Sequence, residues 1–359
     1  MTMTTIDTPR DAATPAGASA HGKQTDTGPR PHNLRINVRP PPPVPPASPG
    51  SAPAVPTASA AVPAAVATVT TARSAWSRRP AVRALRSYAL NPTAMAGTTL
   101  LLLIVLLALA APTLYPGDPL DMVAQPLLWP GQDPQYWLGT DSLGRDLMAG
   151  IAHGARASLL IGVTAAAIGL CIGTVIGACA GYFGGWTDAV LGRLMELFQA
   201  TPSFLFMIVV VSIAPPTIGI ISLSIGLTSW TTVARLARAE FRSLKQRDFV
   251  LAARSLGYGN GRIIFREILP NALPPIIVTT SVMVATAILM ESALSFLGLG
   301  DPNRVSWGSL IGSGRDMLRT AWYLTAIPGS AIIVAVLSLN LVGDGLNEAL
   351  NPRLRSRAE

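Results

Sequence analysis

The stretch RDFVLAARSLGYGNGRIIFREILP, residues 247–270, is a short basic segment set between long apolar runs. Phe249, Ala252, Ala253 and Leu256 recur at i, i+3, i+4 and i+7, so they share one face of a helix, with Arg247 and Arg254 off that stripe. Gly257 permits a turn after it. Ile264 and Ile268 begin a second apolar face beside Arg262 and Arg266; Pro270 is expected to end that helix, and Pro274 and Pro275 open the next apolar run. Such a segment binds a membrane surface, lies in a partner's groove, or only joins two spans.

The surrounding composition decides the class. Of 359 residues, 50% are hydrophobic and 13% charged, with a mean hydropathy of +0.43, which is the profile of a membrane protein. The net charge is +8, but the basic residues gather beside apolar runs, as membrane orientation requires. Nucleic-acid binding would need them on one folded face, so no nucleic-acid partner is expected.

Upstream, residues 1–72 are rich in Pro and Ala, with a proline tract at 40–46, and are expected to form a disordered cytoplasmic tail, a tether or a spacer. Arg78, Arg79, Arg83 and Arg86 precede the first apolar run, 94–114, and place its N-terminal side in the cytoplasm. Residues 115–156, with Asp118, Asp121, Asp133, Asp141 and Asp146, are expected outside as a loop. The second span, 158–181, carries Gly169, Gly173, Gly177 and Gly181 at four-residue spacing, a smooth stripe for close packing within the chain. Residues 182–199, holding Arg193 and Glu196, read as a short inner connection. The third apolar run, 202–214, is short, so its helix is expected to start several residues earlier.

Pro215 and Pro216 make an outer turn, and a fourth span, 218–237, returns the chain to Arg238, Arg242, Lys245 and the opening stretch. The fifth span covers 275–296; an outer loop with Gly298, Gly300, Pro302, Trp307 and Gly308 follows. The sixth, 322–342, delivers Arg353, Arg355 and Arg357 to the inside, so six crossings leave both termini cytoplasmic. Four parts result: the tail 1–72, an N-terminal module 73–157, a core transmembrane domain 158–346 whose cytoplasmic loop is 238–270, and a basic tail 347–359.

Cys171 and Cys179 lie within one apolar run, and His21, His32 and His153 have no nearby ligand set, so no metal site is expected. No Gly-rich loop ending in Gly-Lys-Ser or Gly-Lys-Thr occurs, and no nucleophile, base and orienting acid form a known motif. The chain is therefore expected to be no enzyme, and energy for transport must come from a partner or an ion gradient. A gradient calls for ionisable groups in mid-span. Glu291 is the clear candidate; it either lines the pathway, holds a helix to its neighbour, or marks the membrane boundary, and with Ser292 and Ser295 it forms the candidate gate. No paired ion site accompanies it, which disfavours a secondary transporter; a scaffold without a pathway is the third reading.

The segment from Asp248 through Ala252, Ala253 and Gly257 to Ile268, Leu269 and Pro270 resembles the coupling loop of importer permeases of the ATP-binding cassette superfamily. Leu138-Gly-Thr-Asp141, Leu143-Gly-Arg-Asp146 and Gly154-Ala-Arg156 with Ser158 resemble the outer segment of the dipeptide/oligopeptide/nickel branch. The run from Glu291 to Gly300, Trp307 with Gly308, Pro328 with Gly329, and the stretch from Asn340 to Leu354 extend the likeness, which begins near residue 81 and is of the second-permease type. The resemblance implies an all-α type I importer permease with six transmembrane helices in the bacterial inner membrane. It implies a homologous second permease, two cytoplasmic ATPase subunits that use ATP and Mg, and an extracytoplasmic binding protein that delivers a short peptide, or nickel or another small solute. The coupling residues would be Arg247, Phe249, Leu251, Ala252, Ala253, Leu256 and Gly257, and the outer loop would use Asp141, Arg145, Asp146 and Arg156. Leu251 stands where the family usually has glutamate, Glu267 where histidine is common, and Ala149 and Gly150 replace the usual serine and arginine.

Overall fold

Asn91 starts the first long helix: its side chain, in an extended residue, accepts from the N–H groups of Thr93 and Ala94, and Pro92 at the first turn needs no donor partner. The structure, a computed structural model, describes residues 79–350; the tail expected over 1–72 and the arginines Arg78, Arg353, Arg355 and Arg357 lie outside them. In order the helices are α1 (Arg79–Leu90), α2 (Pro92–Leu114), α3 (Leu147–Phe183), α4 (Gly185–Ala200), α5 (Ser203–Ile213), α6 (Ile218–Leu244), α7 (Asp248–Ser255), α8 (Asn260–Phe296), α9 (Trp307–Gly314) and α10 (Tyr323–Leu350). Five of them, α2, α3, α6, α8 and α10, are long and apolar enough to cross a membrane, and the bent pair α4–α5 would make a sixth.

The expected early start of the third span is not met. Pro202 lacks an N–H and forces Thr201 into an extended conformation, so α4 and α5 meet at 81° instead of forming one rod. The region expected as a short inner connection is mostly α4. The second span begins earlier than expected, at Leu147, where Asp146 accepts from the N–H of Met148 and caps the helix. The outer loop therefore ends at 146 and not 156.

The glycine stripe packs α3 on α6. A Cβ at Gly173 would stand 2.5 Å from the Trp230 carbonyl oxygen, and one at Gly181 would stand 2.5 Å from that of Arg238, with Gly177 similarly set against Ala234. Only hydrogen fits there, so the backbones touch. At the other side α10 closes on α2 and α1: Gly345 lies against Ala94 and Tyr88, and the Asn91 side chain donates to Glu348 at 2.6 Å.

Pro270 does not end its helix. The chain widens into a π-helical turn at Ile263–Ile268, Leu269 donates to the Ile264 carbonyl five residues back, and the helix continues through Pro270, Pro274 and Pro275. The wider turn makes room for the ring that would otherwise meet the preceding turn. It also changes the buried spacing: Ile263 and Ile268, five apart, are fully buried, where α periodicity paired Ile264 with Ile268.

Candidate functional site: the bared helix and the buried carboxylate

At one end of the bundle α7 bridges α6 and α8. Its seat is made by Val250, 0% exposed, and Ala253, 5% exposed, one turn apart. Phe249 (39%), Leu251 (49%) and Leu256 (72%) are left bare beside Ala252 and Gly257. This corrects the stripe read from sequence, because Ala253 belongs to the seat and not to the free face. The helix face was placed by spacing alone, and spacing cannot tell which apolar residues the chain itself covers. Arg247 stands at the N-terminal cap without a side-chain bond, and Gly257 has φ +75°, which ends the helix as expected. Below it the Arg262 guanidinium stacks 3.8 Å from the Tyr258 ring centroid.

The neighbouring ends are tied by charge. Arg238 of α6 grips Asp188 of α4 with two bonds, Nη2 to Oδ2 at 2.8 Å and a second from Nε. Such a two-pronged pair fixes orientation as well as distance. The Tyr182 hydroxyl donates to Asn260 at 2.8 Å, joining the end of α3 to the start of α8.

Toward the other end lies Glu291, 1% exposed. Ser295 Oγ donates to its Oε1 at 2.7 Å and Ser158 Oγ to its Oε2 at 3.3 Å. Ser158 in turn accepts from the Trp307 backbone N–H at 3.2 Å, and the Trp307 indole N–H donates to the Ile151 carbonyl at 3.0 Å. One carboxylate thus joins α3, α8 and, through Ser158, the start of α9. The Ser292 hydroxyl donates to the carbonyl of Ile288 within its own helix at 2.8 Å. Gly308 admits the close approach, since a Cβ there would stand 2.5 Å from the Ser292 Cα. The sequence marked Trp307 and Gly308 as loop residues; they open a short helix, fixed by a reciprocal Ser306–Ser309 capping box. That Ser-x-x-Ser spacing before Gly-rich sequence was the available signal.

The outer loop residues divide. Asp141 accepts from the N–H groups of Leu143 and Arg145, at 2.8 and 2.9 Å, and so shapes its own turn. Thr140 is clamped between Leu128 and Gln125, and the Tyr323 hydroxyl reaches the carbonyls of Leu128 and Thr140 at 2.9 and 3.1 Å, pinning the loop to α10. Burial raises the Asp146 carboxyl above its ordinary range, against the lowering effect of the Met148 and Ala149 N–H groups. Arg145 is half-buried. Arg156 is exposed, on the wall of a cavity of about 630 Å³ shared with Asp118, His153 and Arg304.

A helical bundle with five or six apolar rods defines a multi-pass membrane protein. Residues 173–356 match the family described as binding-protein-dependent transport system inner membrane component, and residues 80–135 match the N-terminal TM domain of oligopeptide transport permease C. The di/tripeptide transport system permease protein DppC of Pseudomonas aeruginosa (strain UCBPP-PA14) is 39% identical over 279 residues, 76% of this chain and 92% of the relative. The oligopeptide transport system permease protein OppC of Bacillus subtilis (strain 168) is 36% identical over 275 residues, covering 76% of this chain and 89% of its own length. Among solved structures, a chain of the inward-facing MetNI methionine ABC transporter aligns with a TM-score of 0.49 and 14% identity, over 57% of this chain and 98% of that one. The chain belongs to the inner membrane components of binding-protein-dependent transport systems, a family of transport permeases.

Proposed function

We propose that this chain is one of two permease subunits of an ATP-driven importer that carries short peptides across the cytoplasmic membrane by alternating access. The observation that carries the proposal is α7: a helix seated by Val250 and Ala253 between two crossings, with Phe249, Ala252 and Leu256 left bare on the side turned away from Leu251. A partner that grips this face moves α6 and α8 with it, because packed helices shift as bodies. Two cytoplasmic ATPase subunits, using ATP and Mg, supply the grip; a homologous permease completes the pathway, and an extracytoplasmic binding protein delivers the peptide. Relatives named as dipeptide and oligopeptide permeases support the substrate class. Both termini lie in the cytoplasm, on the side of α7. Glu291 acts as a tie that keeps α3, α8 and α9 moving together.

The test changes the bare face and leaves the seat. In a complex purified with its ATPases, Phe249→Asp with Leu256→Asp should weaken ATPase retention at least about tenfold, as loss of central apolar anchors does. Peptide uptake into proteoliposomes should fall with it. Wild-type retention and uptake in this double variant would end the proposal. Ala253 is unsuitable for the purpose, since a bulky residue there collides with the chain's own core.

A further inference from the structure

We propose that the cavity behind α7 binds the phosphate of an acidic phospholipid headgroup. This cavity, about 440 Å³, lies where the end of α3, the start of α4, the end of α6 and α7 converge. Three cations line it, Arg242, Lys245 and Arg254, with Gln246 beside them. Its one acid, Asp188, is already held by Arg238 through two bonds, while Arg242 and Arg254 enter no ion pair among the described residues. Lys245 spends one N–H on the Tyr182 carbonyl at 2.5 Å, which leaves two for a ligand. Leu251 adds apolar wall and no counter-charge.

Two further features fix the kind of anion. Gly184 and Gly185 rim the cavity at the N-terminus of α4, a 16-residue helix with no side-chain cap, so its first N–H groups add to the positive field. On either side of those glycines Phe183 and Trp186 are bare, Trp186 to 81%. Aromatic side chains of this kind sit at headgroup depth, and basic pockets between helices at that depth take lipid phosphates. At 3.6 residues per turn, Leu251 and Arg254 fall on the side of α7 away from Phe249, Ala252 and Leu256, so the lipid site and the proposed ATPase face are different surfaces of one helix. The inference rests on the proposed function only for which leaflet supplies the lipid.

The experiment uses the full-length chain without ATPases, in nanodiscs of phosphatidylcholine with a minor fraction of phosphatidylglycerol. The protein is extracted in mild detergent and retained lipid is counted by mass spectrometry. Phosphatidylglycerol should be retained in excess of its bulk fraction. R242Q/R254Q, which keeps the Lys245–Tyr182 bond, should cut that excess by about tenfold, and L251E, which adds an acid without removing a cation, should cut it similarly. R315Q/R319Q, outside the cavity, should not change it. No excess in the wild type, or equal excess in both cavity variants, overturns the proposal. Displacement by inorganic phosphate at matched ionic strength assigns the site to free phosphate and overturns the lipid. Because neither ATPase nor transport enters the assay, failure of the importer reading would leave this result standing.

Discussion

Replacing Gly173 by alanine adds one methyl to the seam between α3 and α6, and its cost can be worked from the geometry. The new carbon would stand 2.5 Å from the Trp230 carbonyl oxygen and 2.7 Å from the Val233 Cβ. Unstrained carbon contacts begin near 3.5 Å, so the helices must part by about 0.8 Å, and no rotamer change can relieve backbone and Cβ neighbours. Overpacking of this kind costs about 1–3 kcal/mol. Alanine also gains about 1 kcal/mol over glycine in a helix interior. That gain is isolated at Gly192 of α4, where nothing lies within 4 Å of an added Cβ. The difference between G173A and G192A therefore removes the propensity gain and leaves about 1–3 kcal/mol for the seam. Both variants should be unfolded by SDS in mixed micelles and followed by circular dichroism. If G173A proves as stable as G192A, the α3–α6 contact is not as close as described and the reasoning fails.

Tyr323→Phe removes the hydroxyl that pins the outer loop through Leu128 and Thr140, for a loss of about 0.5–1.5 kcal/mol, and limited proteolysis should cut within residues 120–145 several-fold faster. An unchanged cleavage rate would show that the loop is held by other contacts. Glu291→Gln keeps a carbonyl acceptor for one of the Ser295 and Ser158 hydroxyls and offers an N–H donor to the other, and should be tolerated within about 1 kcal/mol, whereas Glu291→Leu strips both hydroxyls of their partner and should cost about 1–3 kcal/mol in the same SDS assay. Equal effects of the two would remove the tie.

Apolar length was legible for five spans: the runs at 94–114, 158–181, 218–237, 275–296 and 322–342 each fall, to within one residue, on one long helix, because crossing a bilayer demands an unbroken apolar stretch, whereas the third, expected as one helix, is split at Pro202. What the sequence hid depends on contacts between distant residues. Leu147 to Arg156 looked like loop because it is broken by Gly150, His153, Gly154 and Arg156, yet it is helical because Asp146 caps it and Trp307 packs beside Gly154. Pro270 looked like a terminus, and only the π-turn before it shows how the helix survives. Ala253 could not be told from Ala252 by spacing, since one faces the chain and the other faces away. Glu291 was visible as an unusual residue, but its partner Ser158 lies 133 positions away along the chain, and the Trp307 N–H that bonds Ser158 lies 149 positions from it.

The unbroken run of α8 has a mechanical result. Its 37 residues make a bar about 55 Å long, nearly twice the thickness of the hydrocarbon layer. A pivot of about 10° at the end near Tyr258 swings the far tip by about 10 Å, the width of another helix. The perch of α9 on Glu291 and Ser295 must ride that arc, or its bonds to Ser158 must part.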